Sequence, residues 1–242
     1  MAKIDVSEVL RPGLLDGVAI LLAAGDETAP QAPRLPRPNA EQVQASCLAL
    51  GAGLSRCTLV ASGAPEHDDA EVEAAVAAAL GGLGGLDMLV VDAAGASFHG
   101  PEGEPALIET LEAAWRLTRA VANAAFIAAV GDGEAEGGDT EGAGTGSSGG
   151  RIVYIAPPTA ADRARRAEAE RLGSYAEAAR AGLENLARTL SIEWARYGIT
   201  PVTIAPGPES SAEEVAALVA YLASPAGSYF SGCLLDLRGA LG

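Results

Sequence analysis

A chain of 242 residues, nearly half of them apolar, is long enough for one α/β domain with a sizeable core. Aromatics make up only 4% while glycine alone supplies 30 residues, so that core has to be built from small side chains and closely approaching elements. A formal charge of −16 repels phosphate backbones and anionic bilayers, which argues against direct contact with nucleic acid or membrane and reads most simply as solubility.

Residues 18–22 (VAILL) form a short, continuous, branched apolar run, the pattern of a buried parallel strand. Pro30, Pro33, Pro36 and Pro38 then break all periodicity, which predicts a Pro-rich connector over 26–38. Its PRLPRP string has the PxxP form of a polyproline ligand, although a stiff connector is the plainer reading. Asn39 followed by 40–50 predicts an N-capped helix ending at Gly51. Residues 57–62 (CTLVAS) predict a second strand. A helix is expected over 69–80, with Asp68, Asp69 and Glu71 at its positive end. Residues 86–91 (LDMLVV) predict a third strand, and 108–130 a long Ala-rich helix. The stretch 131–150 is almost wholly Gly, Ser, Thr, Ala and acid; it cannot bury enough surface to order itself and predicts a flexible acidic loop.

Residues 151–156 (RIVYIA) predict the fourth strand. Ser174, with Glu177 three positions on, has the form of a capping box. The helix it would open places Leu183, Leu186, Leu190 and Trp194 on one face and stops at Gly198. A fifth strand (199–205), a helix (212–223) and a last strand (233–237) follow. Strands alternating with helices of ten or more residues predict an α/β fold with a doubly wound parallel sheet in three αβα layers. No internal repeat and no second-domain boundary is visible, so 1–242 is expected to form a single domain.

Cys47, Cys57 and Cys233 are odd in number and in no CxxC arrangement, and residues 1–10 lack a secretory pattern. Reduced thiols in a cytoplasmic protein are the expectation. The longest apolar runs, such as 120–130, are too short to cross a bilayer. His67-Asp68-Asp69 reads as surface decoration around a helix start more readily than as a metal site. Ser97 and His99 would follow the third strand, at the carboxyl end of the sheet where ligands usually bind, although loop polarity is the plainer reading.

From Leu86 onward four strings follow one another in a specific order: LDMLVVDAAG (86–95), GGRIVYIAPPTA (149–160), ARAGLENLARTLSIEWARYGITPVTIAPG (179–207) and EEVAALVAYLASPAGSYFSGCLLDLRG (213–239). In that order they resemble the short-chain dehydrogenases/reductases: the fourth strand and its Asn-Asn-Ala-Gly turn, the fifth strand, the catalytic helix with the sixth strand, and the final helix and strand. The resemblance implies a Rossmann-like fold. Before Leu86 the likeness is weak, and one strand–helix unit of the family's first half is missing, so the N-terminal half is expected to be shortened.

The resemblance also implies a chemistry, hydride transfer between a nicotinamide and a carbonyl or alcohol carbon. A tyrosine exchanges the proton, a lysine four residues on tunes it, a serine holds the substrate oxygen and an asparagine organises a proton relay. Aligned without gaps, Arg180 stands in the lysine slot and Ala176 in the tyrosine slot. Tyr175 lies one residue off, about 100° around an ideal helix, and a register that uses it puts Ala179 in the lysine slot. Pro157, or Ala156 if shifted, takes the serine slot; Thr110 takes the asparagine slot; Asp92 and Ala93 stand for the paired asparagines. A pyrophosphate cradle needs glycines and a helix N-terminus, whereas residues 23–27 are Ala-Ala-Gly-Asp-Glu. After Pro206-Gly207 only 208–211 separate the turn from the next helix, where the family usually inserts a substrate lid.

These departures lead to an expectation of no catalytic, cofactor-binding or metal residue in this chain and no enzyme activity on its own. The chain would be a non-catalytic subunit assembling, as a hetero-oligomer of heterotetramer type, with an active paralogue that carries NAD or NADP. The retained helices 108–130 and 174–197 and the segment 212–237 correspond to surfaces through which the family assembles, and Ala178, Ala181 and Ala187 permit close helix approach. The alternatives are a homo-oligomeric small-molecule-binding protein, and an enzyme of this fold with a remodelled site, either an oxidoreductase or a dehalogenase-like lyase using Tyr175 and Arg180.

Overall fold

The computed structural model describes residues 9–25, 39–59, 65–93, 103–128, 149–158, 167, 175–207 and 210–237, the side chains of 65–68 and 103–106 excepted. The predicted connector 26–38 and the acidic loop up to residue 148 lie outside the described residues.

Four apolar runs become the centre of the sheet: β1 (Ala19–Ala24), β3 (Met88–Asp92), β4 (Arg151–Ile155) and β5 (Thr200–Ala205). Among the described residues six parallel strands, with β2 (Gly53–Thr58) and β6 (Leu234–Asp236) at the edges, lie in the order β2-β1-β3-β4-β5-β6. Alternation along the strands sends side chains to two faces. Ile20, Leu22, Met88, Val90, Val153 and Ile204 meet helices α1 (Ala40–Ala49) and α5 (Ala212–Ala223). Leu21, Leu89, Val91, Ile152 and Tyr154 meet α2 (Pro65–Leu83), α3 (Gly103–Val121) and α4 (Ala176–Glu193). The result is the three-layer, doubly wound αβα architecture expected from the sequence. Its first half is short: β2 sits directly beside β1 as an edge strand.

Several boundaries differ from expectation for identifiable reasons. β2 starts at Gly53 and ends at Thr58, not over 57–62. An edge strand needs no continuous apolar run, and this one is half exposed. α2 is longer than 69–80 because Pro65 is tolerated in a first turn and Gly81-Gly82 extend its end. The helix expected over 108–130 is α3 up to Val121 and then a π-helical turn, Ala122–Ile127.

Two caps were misplaced. Asn39 has αR angles (φ −79°, ψ −11°) and makes no side-chain capping bond, although its carbonyl accepts the Val43 amide at 2.9 Å. The capping residue of α4 is Tyr175 (φ −112°, ψ 17°), again without a side-chain bond, and Ser174 lies outside the described residues. A full capping box forms instead at α5. The Ser211 hydroxyl accepts the Glu214 amide at 3.2 Å and the Glu214 carboxylate accepts the Ser211 amide at 2.9 Å.

Candidate active site

In a doubly wound sheet the helices leave on opposite faces from neighbouring strands, which opens a crevice at the carboxyl edge. Here that divergence falls between β1, whose following helix α1 covers one face, and β3, whose helix α3 covers the other. The strand ends are stitched beyond the strands themselves. The Leu59 amide donates to Ala24 at 2.7 Å, Ala93 to Ile155 at 3.0 Å, Ala156 to Ile204 at 2.9 Å and Leu237 to Ala205 at 2.9 Å. The edge is therefore a fixed platform.

Three features mark this edge. At the end of β2 is a cleft walled by Leu59, Val72, Ala75, Ala113 and Leu117, with Cys57, Thr58 and Glu71 at its border. Burial pushes the Cys57 thiol up to about 11, so at neutral pH this thiol is uncharged and unreactive. At the crevice Ala24, Gly25 and Ala93 place no bulky side chain, and among the described residues a Cβ added at Gly25 would meet nothing within 4 Å. Towards β5 and β6 stands Arg180, on the inward stripe of α4 with Ala176, Ala179 and Leu183. Its side chain is only 11% exposed and reaches Asp236 of β6 (Nη2–Oδ2 3.8 Å) and Glu177 of its own helix (Nη1–Oε2 3.9 Å).

The turn after β5 is tied down as well. The Ser210 hydroxyl accepts the Gly207 amide at 2.9 Å and donates to the Leu237 carbonyl at 3.2 Å. Between them 208–209 lie outside the described residues. Ser210 thus ties the turn after β5 to the end of β6.

The residues singled out from sequence fall as follows. Asp92 is buried at the end of β3 and Ala93 follows it; Ala156 and Pro157 are buried at the end of β4; Thr110 is buried on α3. Ala176 and Ala179 pack inward, so neither slot offers a proton donor. Tyr175 is half-buried at the N-cap. Its non-helical φ and ψ remove the basis for the 100° displacement inferred from sequence, since that rule holds only inside a helix. Asp69 is engaged by Arg119 at 3.0 Å and Arg116 at 3.9 Å. Among the described residues no group of three His, Cys, Asp or Glu is placed to hold a metal. Asp26, Glu27, Ser97, His99 and the PxxP string lie outside the described residues. Sequence reasoning missed Asp236 and the cleft at β2. An acid closing an otherwise apolar strand, LLD, was the available signal for the first.

The model of the enoyl-(acyl carrier protein) reductase family matches residues 66–211, more than half of the chain. With the parallel αβα fold and the crevice at its carboxyl edge, this makes the chain a member of the short-chain dehydrogenase/reductase family. Solved structures bear out the fold. A short-chain dehydrogenase from Mycobacterium smegmatis superposes with a TM-score of 0.65 at 21% identity, covering 98% of this chain and all of that one. A citronellol catabolism dehydrogenase from Pseudomonas aeruginosa gives 0.64 at 21% identity, covering 96% of this chain and 98% of that one. A 3-ketoacyl-(acyl-carrier-protein) reductase from Brucella melitensis, complexed with NADH, gives 0.63 at 19% identity, covering 93% and 98%. No protein of curated function matches the sequence closely enough to be called a relative.

Two expectations are corrected by these findings. The chain was expected not to be an enzyme on its own; the matching family is one of reductases, and the similar structures are dehydrogenases and reductases. It was also expected to carry no cofactor, whereas the Brucella melitensis neighbour holds NADH. The physical case against a cofactor rested on the single glycine of Ala23-Ala24-Gly25 and on Asp26, Glu27 and the prolines after β1; all but the first lie outside the described residues. Among the described residues, Ala24, Gly25 and Ala93 put no bulky side chain at the crevice, and an apolar cleft lies beside it. Among the described residues no helix is long and apolar enough to cross a membrane.

Proposed function

We propose that this chain is an NAD(P)-dependent oxidoreductase of the short-chain type with a remodelled proton-handling group, Tyr175 and Arg180 standing five residues apart. The observation that carries the reading is one edge of the sheet that bears, among the described residues, an apolar cleft at β2, small residues where β1 and β3 diverge and a nearly buried arginine towards β5 and β6. Four strand spacings of about 4.8 Å separate β2 from β5, a span suited to an extended dinucleotide with its base in the cleft. Leu59, Val72 and Leu117 would hold that base, and Ala24, Gly25 and Ala93 would let backbone approach the diphosphate.

The nicotinamide, when bound, supplies or accepts the hydride. Tyr175 is the phenol that exchanges a proton with the substrate oxygen. Arg180 contributes a permanent positive charge where negative charge develops on that oxygen, in a position that water reaches little. With Pro157 at the end of β4, no hydroxyl from that strand holds the substrate. The short, pinned turn after β5 suits a substrate carried on a larger group, such as a 3-ketoacyl thioester. Titrating the protein with NADH and NADPH, then following their oxidation with a 3-ketoacyl thioester, a ketosteroid and simple ketones, tests the reading. Dinucleotide binding with turnover of one of these supports it; failure to bind either dinucleotide contradicts it.

Self-assembly through α3 and α4 is a second proposal. Ile108 (51% exposed) and Ile192 (76% exposed) stand on these helices, and Trp115 and Trp194 stack between them at 6.1 Å. A second copy of this chain is the proposed occupant. Native mass spectrometry distinguishes a homo-oligomer from a complex with another dehydrogenase and from a monomer.

A further inference from the structure

Arg180 is the one part of the proposed pair whose position the surroundings fix, and what fixes it comes from the far edge of the sheet. Its guanidinium lies between two carboxylates of different character. Glu177 is on the same helix, three residues earlier, and is 49% exposed. It moves with Arg180 and cannot set its direction relative to the sheet. Asp236 is the last residue of β6, is 34% exposed, and belongs to another layer.

The backbone around Asp236 is held on both sides. Leu235 pairs with Ile204 in the sheet, the Leu237 amide donates to Ala205 at 2.9 Å, and the Leu237 carbonyl accepts the Ser210 hydroxyl at 3.2 Å. α4 is fastened to the same strand pair: the Thr203 hydroxyl donates to the Leu183 carbonyl at 3.2 Å, one turn beyond Arg180. A long, flexible side chain thus starts from one fixed element and ends on another. A free arginine samples many rotamers, and a partner on a rigid platform removes most of that freedom before any ligand arrives.

We propose that Asp236 is a positioning residue that holds Arg180 over the carboxyl ends of β5 and β6, so that the last strand completes the site. The proposal rests on the reading of this chain as an NAD(P)-dependent oxidoreductase. An acidic residue at the end of an edge strand also guards that edge against pairing with another chain, a role that needs no Arg180. The two roles separate in a double-mutant cycle, because only positioning makes the effect of Asp236 depend on Arg180.

The cycle uses the wild type, Asp236→Asn, Arg180→Ala and the double variant of the full chain. It is read first as affinity for NADH and NADPH by quenching of intrinsic fluorescence, which needs no turnover. It is read again as kcat and KM on the carbonyl substrate found by the panel. Asp236→Asn is expected to lower kcat by about ten- to a hundredfold, the size of effect that misplacing a catalytic group has. KM for the carbonyl and the thermal midpoint should stay close to wild type, since a partly exposed ion pair adds little stability. Asp236→Glu should restore most of the loss. In the Arg180→Ala background Asp236→Asn should change neither affinity nor kcat further. Losses that multiply in the double variant, or a matching fall in thermal midpoint, overturn the positioning role and leave the oxidoreductase reading intact. A wild type that binds neither dinucleotide overturns both.

Discussion

The hydroxyls of Tyr154 and Thr118 meet at 2.9 Å in the space between β4 and α3, and both residues are 0% exposed. Each satisfies the other where no solvent reaches, on the same face as the candidate site. Tyr154→Phe leaves the Thr118 hydroxyl buried without that partner and should destabilise the protein by about 1–3 kcal/mol in urea unfolding. Adding Thr118→Val should recover part of the loss, because replacing both partners removes the unsatisfied group.

Alkaline stability should follow from buried acids that prefer to stay protonated. Burial raises the Tyr154 phenol above its ordinary value of 10, with the Thr118 bond opposing weakly, and raises Cys47 from 9.0 to about 12. A group whose folded value is raised contributes stability that is complete below its unfolded value and is lost as pH climbs through the folded one. Unfolding midpoints should therefore be flat up to about pH 8.5 and fall steadily beyond it, first through the cysteines and then through Tyr154. Cys47→Ala should delay the onset if the cavity it leaves is corrected for by comparison at pH 7.

Two glycines separate packing from ligand approach. A Cβ at Gly150 would collide with the ring of Phe126, so Gly150→Ala should cost about 1–3 kcal/mol of stability. A Cβ at Gly25 meets nothing within 4 Å among the described residues. Gly25→Ala should leave the thermal midpoint unchanged and weaken NADH or NADPH binding, because the space it fills is the one the diphosphate needs. Equal dinucleotide affinity in wild type and Gly25→Ala would remove the crevice from the binding site.

The capping box at α5 gives a calibrated stability test. Ser211→Ala breaks the bond to the Glu214 amide at 3.2 Å and should cost about 1 kcal/mol in thermal or urea unfolding. Because Ser210 and Ser211 share the turn that is pinned to Leu237, kinetic effects should accompany Ser210→Ala more than Ser211→Ala.

The central strands were legible because buried parallel strands need continuous branched apolar runs, and VAILL, LDMLVV and RIVYIA have them. β2 was half legible: as an edge strand its first residues, Gly53 to Arg56, carry no such signal. The capping pattern Ser-x-x-Glu occurs at both Ser174 and Ser211, and the string alone does not separate the two. The box is seen at Ser211, where the pinned turn after β5 sets the extended φ and ψ it needs. At the site, motif counting noticed that Tyr175 misses its slot but assumed a helix through it, whereas the chain leaves the helix there. The Arg180–Asp236 pair joins residues 56 apart in sequence and depends on how α4 lies across the sheet, which no local pattern records.

The most direct test of the account is a paired measurement on wild type and Tyr175→Phe: equilibrium binding of NADH and NADPH, and their oxidation in the presence of the carbonyl panel. The account predicts that wild type binds one dinucleotide and reduces a carbonyl, and that Tyr175→Phe keeps the affinity while losing about a hundredfold or more in kcat. A wild type that binds neither dinucleotide, or a Tyr175→Phe variant as active as wild type, would contradict it.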